Sequence, residues 1–178
     1  MEELLQNILE KPESILALCA LGISMISLIL SILTSFQNRK NNRLNVKPIA
    51  YVLPPDYENR IAVIIQNKGT GPLISREIKF IGENNVEKNY LLDFMPALKY
   101  GHKWTTFSKT SKIILRPSEE KVLLEFRGDD SDPNFIENRD QIREALSKIE
   151  IKMKYTSVFD EICSFKLNYK LSWFGREK

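Results

Sequence analysis

The chain of 178 residues holds one histidine, His102, and two cysteines, Cys19 and Cys163. That scarcity removes most catalytic chemistries at the outset. No C-x-x-C, H-x-x-x-H or G-x-S-x-G pattern occurs, and no Walker loop. The "GTGP" at Gly69–Pro72 lacks the Lys-Ser/Thr that a phosphate loop requires. A nuclease pair of the Arg-x(4–6)-His type needs an arginine at one of three positions before His102, and these hold Met95, Pro96 and Ala97. "DDSDPNFIEN" offers Asp130, Asp132 and Asn134 at the alternate positions of a calcium loop. Its sixth position is Phe135 and its twelfth is Gln141, where glycine and glutamate are needed. The better reading is a polar turn capping the next helix. The expectation is a protein that is not an enzyme and needs no cofactor or metal.

Charge is missing from one long stretch. Ile15 to Phe36 carries none in 22 residues. At a rise of 1.5 Å per residue it reaches about 33 Å, enough to cross a hydrocarbon core of about 30 Å. A secretory signal peptide fits poorly. "MEELLQNILEKPES" is acidic where such a leader is basic, and no small-x-small cleavage site follows. The sequence divides into a short extracytoplasmic N-terminus (1–13), a transmembrane helix (14–38), a basic linker (39–44) and a soluble domain (45–178). Arg39, Lys40, Arg43 and Lys47 follow the span, whereas Lys11 alone precedes it. The positive-inside rule then predicts a single-pass protein of the cytoplasmic membrane, N-terminus outside and soluble domain in the cytoplasm. Two distant cysteines suit that reducing compartment. Residues 37–178 hold 25 basic and 19 acidic residues, which suits an anionic leaflet.

Within the span, small and polar residues gather on one line, with Cys19, Gly22 and Ser35 off it. Ala17, Ala20, Ser24, Ser27, Ser31, Thr34 and Asn38 recur at alternating intervals of three and four, which places them on one helix face. In the same phase the line runs back to Glu13 and Glu10, at the expected pore mouth. Leucine, isoleucine, methionine and phenylalanine dominate elsewhere. Two physical readings compete. Small residues let two helices approach closely, with hydroxyls bonded back onto the helix. Alternatively several helices ring a lumen and the line faces water. The second reading also accounts for polarity persisting to both ends.

Beyond residue 45 the period changes to two. "LNVKPIAYVL" and "NRIAVIIQN" read as strands, then a turn at "QNKGTGPL" and a strand "LISREIKFIG" with Ile74, Ile78 and Phe80 facing inward. "KIILRPSEEKVLLEFRG" reads as two strands around Arg116-Pro117-Ser118. "IEIKMKY" and "EICSFKLNYKLSW" read as a hairpin. Residues 84–112 are irregular and aromatic-rich, and a short helix is expected near 138–147. Short strands with few helices between them predict a mainly antiparallel, immunoglobulin-like β-sandwich behind the transmembrane helix. In "LKYGHKWTTFSKTSK", Lys99, Tyr100, Lys103 and Trp104 interleave cations with aromatics. That pattern can contact a partner or RNA, and it also occurs in ordinary loops. Direct nucleic-acid binding stays open.

Asn67-Lys68-Gly69-Thr70-Gly71-Pro72, together with the late Tyr155…Phe159 hairpin, resembles bacterial single-span proteins with immunoglobulin-like soluble parts. One N-terminal span, one soluble domain and this length also resemble the small membrane accessory proteins encoded beside type VI-B CRISPR RNA-guided nucleases. That resemblance implies a homo-oligomeric membrane pore of a bacterial inner membrane. It further implies an anti-phage effector acting with an RNA-guided nuclease or another cytoplasmic activator. The alternative is a membrane-tethered sandwich that recruits a partner or senses a ligand without a pore.

Overall fold

The computed structural model describes residues 12–109, 112–159 and 164–176. The chain forms two units, residues 1–44 and 45–178. The first contains helix α1, Pro12–Asn45. It is long and apolar enough to cross a membrane, and none of its most apolar stretch is covered by the rest of the chain. Its 34 residues span about 50 Å. The expected linker 39–44 is helical, because Arg39, Lys40 and Arg43 are good helix formers that continue the last turns.

The second unit is the expected sandwich, with ten strands among the described residues in two antiparallel sheets. Sheet A runs β1 (Ala50–Leu53), β3 (Arg60–Asn67), β8 (Glu120–Arg127), β6 (Thr106–Phe107), and β2 (Asp56–Tyr57) adds to β3. Sheet B runs β10 (Phe165–Lys170), β9 (Glu150–Thr156), β4 (Leu73–Ile81), β5 (Glu87–Lys88), and β7 (Ile114–Leu115) adds to β4. Ile61, Val63 and Ile65 of sheet A share one core with Ile78, Phe80, Ile151 and Met153 of sheet B. Helix α2, Pro133–Ser147, adds Phe135, Ile142 and Leu146 to it. Asp132 caps α2 by accepting from the Asn134 amide at 2.9 Å, with Pro133 at the first helical position. This is the capping turn preferred above the calcium loop.

Two details depart from simple alternation. Ile74 is not a core residue, although it was expected inward; Leu73 and Ser75 are buried in its place. The register of β4 on β9 shifts between Ser75 and Glu77, so the inward set changes phase across the bulge and resumes at Ile78 and Phe80. The two strands around Arg116-Pro117-Ser118 do not pair with each other. β7 belongs to sheet B and β8 to sheet A, so this turn carries the chain between layers.

Asn67 holds that crossing together. Its side chain is fully buried. Oδ1 accepts from the Ile49 amide at 3.2 Å and the Gly69 amide at 3.0 Å. Nδ2 donates to the carbonyls of Gly71 at 2.7 Å, Leu115 at 3.2 Å and Arg116 at 3.2 Å. One amide thus joins the entry segment, the β3–β4 turn and the β7–β8 crossing. The glycines of the turn allow close approach. A Cβ on Gly71 would lie 1.9 Å from the Val46 carbonyl oxygen, and one on Gly69 would lie 2.3 Å from that of Lys47.

On the outer face of sheet A, Glu125 is buried between two arginines. Its Oε1 accepts from Arg60 Nε at 2.7 Å and Arg127 Nε at 2.8 Å. Burial pushes this carboxyl up, but the hydrogen bonds from Arg127 and Arg60 outweigh it and hold the group below its ordinary value of 4.5. A depressed carboxyl stabilises the fold above the unfolded-state value, and that contribution is lost as pH falls through the folded-state value. Unfolding midpoints measured from pH 6 down to about pH 3 should therefore drop below pH 4.5. Glu125→Gln should flatten the drop while lowering stability at neutral pH. An unchanged acid slope would contradict this role.

Candidate functional site

The polar line lies on one unbroken helix. From Glu13 through Ala17, Ala20, Ser24, Ser27, Ser31 and Thr34 to Asn38, every member is exposed. Glu10 lies outside the described residues. The Thr34 hydroxyl donates to the Leu30 carbonyl at 2.8 Å, the back-bonding that lets a hydroxyl enter lipid at low cost. Ser31, Thr34, Ser35, Asn38 and Asn42 border a shallow groove on the helix surface. Asn42 continues the line one further turn, four residues beyond Asn38. Asn42 lies in the segment expected as a linker. Arg39, Lys40 and Arg43 are exposed on the last turns of α1. Lys47 lies past the helix, with its ammonium 5.5 Å from the centre of the Phe165 ring.

The aromatic-basic loop is tied to α2 at several points, with Lys99 and Tyr100 exposed at the surface and Trp104 half-buried. Trp104 packs edge-on against Phe126 with ring centres 5.8 Å apart, and Phe126 stacks on Phe135 of α2 at 4.9 Å. Lys99 Nζ lies 2.7 Å from Glu137 Oε1, and the Tyr100 hydroxyl donates to Glu137 Oε2 at 2.9 Å. The Lys99 and Tyr100 hydrogen bonds hold the Glu137 carboxyl below its usual range. Asn138, buried on the same helix, accepts from the Lys99 amide at 2.9 Å and donates to the Lys99 carbonyl at 3.2 Å. His102 is half-buried, with Nδ1 at 3.3 Å from Asn138 Nδ2 and Nε2 at 3.3 Å from Asp132 Oδ2. Three of the four expected contact residues, Lys99, Tyr100 and Trp104, thus clasp the loop to α2 and the core. Lys103 is exposed.

The partners in this clasp, Glu137 and Asn138, were not singled out from sequence. They lie nearly forty residues from the loop, and nothing in the local pattern connects them. Among the described residues, no group of three or more His, Cys, Asp or Glu is placed to hold a metal ion. The chain matches no protein-family model and no curated protein.

Proposed function

We propose that this chain is a single-span membrane protein that assembles through α1 into a polar-lined pore, with its sandwich on the cytoplasmic side. One observation carries the reading. A membrane-length helix presents a continuous small and polar line, exposed from Glu13 to Asn38, while its other faces are mainly apolar. Such a line lets copies of the helix approach closely or, in a ring, faces water. A lumen accounts for its full length and for its continuation to Asn42. With helices about 10 Å across, a ring of five leaves a lumen of radius ~3.5 Å and a ring of eight leaves ~8 Å. Either admits ions. The sandwich would supply lateral contacts and receive the cytoplasmic signal. The resemblance to accessory proteins of RNA-guided nucleases extends the proposal to a defence effector that depolarises the membrane.

Two measurements test this. In mild detergent the particle should have a mass several times the 20.7 kDa of one chain; a monomer would rule out a ring. In intact cells, a cysteine introduced at Asn45 should resist membrane-impermeant thiol reagents until lysis. Labelling without lysis would move the sandwich outside.

A further inference from the structure

Strand alternation puts five lysines on the outer face of sheet B: Lys79 on β4, Lys152 and Lys154 on β9, and Lys166 and Lys170 on β10. Register sets like charges directly opposite one another. Lys154 faces Lys166 and Lys152 faces Lys79, while on their other pairings Lys154 faces Glu77 and Lys170 faces Glu150. Opposed like charges destabilise a sheet, so local stability alone does not favour this arrangement. Acidic neighbours offset only part of it. Glu77 lies 2.7 Å from Lys154, and Glu87 lies 2.7 Å from Lys79. Glu150 reaches Lys152 only at 3.8 Å. Among the described residues, Lys166 and Lys170 make no ion pair within 4 Å, and Glu150 stands opposite Lys170 in register. The Lys152 and Lys154 side chains are 47% and 55% exposed, so the surplus charge faces solvent.

We infer that this lysine ladder docks on the headgroups of anionic phospholipid. The inference rests on membrane insertion of α1 and not on the pore. Two features favour lipid over RNA. The ladder presents lysines without interleaved aromatics, so base stacking has no platform, whereas point charges on flexible stems suit a planar array of phosphates. A chain tethered by its own span also meets a bilayer surface at high effective concentration. Each lysine near an anionic leaflet adds attraction that salt screens.

The test uses the full chain in vesicles of phosphatidylcholine alone or with a third phosphatidylglycerol. Modification of each lysine by an amine-reactive ester is followed by peptide mass spectrometry. Labelling of Lys152, Lys166 and Lys170 should slow about fivefold or more in the anionic vesicles at low salt and recover at 0.5 M salt. Lys103 and Lys121 should label equally in both. The double variant Lys166→Glu, Lys170→Glu should abolish the protection of Lys152. Equal rates in both vesicles would overturn the proposal and leave these lysines as guards of an exposed sheet edge. Protection by added RNA in neutral vesicles, without protection by anionic lipid, would overturn it in favour of nucleic acid. Failure of the chain to co-float with vesicles would overturn this inference and the pore together. Co-flotation without protection removes this inference alone, because ion flux is read separately.

Discussion

Ser27→Leu and Ser31→Leu are expected to lower ion flux through reconstituted protein about tenfold or more, with oligomers retained. Both positions lie mid-span on the polar face of α1. A ring of leucines there fills a lumen with apolar bulk, and such constrictions resist wetting. Membrane insertion should improve, since leucine favours the bilayer centre and serine does not. Ile29→Leu, on the opposite face, is the control and should leave flux unchanged. A close-packed pair of helices predicts the reverse order of events: Ser27→Leu would separate the helices, and the oligomer would dissociate. Flux and assembly both unchanged in the two serine variants would mean that the line contacts neither water nor a neighbour.

Asn67→Ala should be the most destabilising single substitution in the sandwich. It deletes five hydrogen bonds and takes the asparagine partner from the Ile49 and Gly69 amides and the Gly71 and Leu115 carbonyls, while the Arg116 carbonyl keeps the Glu119 amide at 3.1 Å. Unpaired buried polar groups cost about 1–3 kcal/mol each, and partial relaxation keeps the sum below additivity. A loss of about 4 kcal/mol is expected, a large part of the roughly 5–15 kcal/mol that holds a domain. Thermal unfolding followed by Trp104 fluorescence should shift down by about 15 °C. Lys68→Ala removes only the stacking of an exposed lysine on Tyr51, 3.8 Å from the ring centre, and should cost under about 1 kcal/mol. Equal effects of the two substitutions would remove Asn67 from its place as the joint between layers.

The sequence made the elements legible where hydrophobic period was local. The span, the alternation Ile149, Ile151, Met153, Tyr155, and the helix carrying Ile142 and Leu146 all follow from residues a few positions apart, and each is buried or exposed as that period requires. It failed where one extra residue changes phase. Ile74 was placed inward because a bulge at Ser75–Glu77 leaves no mark in a hydrophobic pattern. Pairing across layers was also hidden. Arg116-Pro117-Ser118 reads as a turn, but whether it closes a hairpin or crosses between sheets depends on β4, some forty residues earlier. The same limit applies to Asn67: "NKGTGP" announces a turn, while the Leu115 and Arg116 carbonyls that make the asparagine indispensable are remote in sequence. The aromatic-basic loop shows the same limit. Its composition suggests an outward surface, and Lys99, Tyr100 and Lys103 are exposed, but the ties to Glu137, Asn138 and Phe126 leave no mark in the local pattern.

The central claim is that the polar line of α1 faces a continuous aqueous path. It is tested most directly by single cysteines at Ser24, Ser27, Ser31 and Thr34, with Met25, Ile29 and Leu33 as the opposite face, in a Cys19→Ala, Cys163→Ala background. Ion flux is recorded while a charged, membrane-impermeant thiol reagent is added. A lumen predicts rapid block at all four line positions and none at the three others. Block that ignores the helix face, or reagent reaching no position on the line while flux continues, would contradict the account.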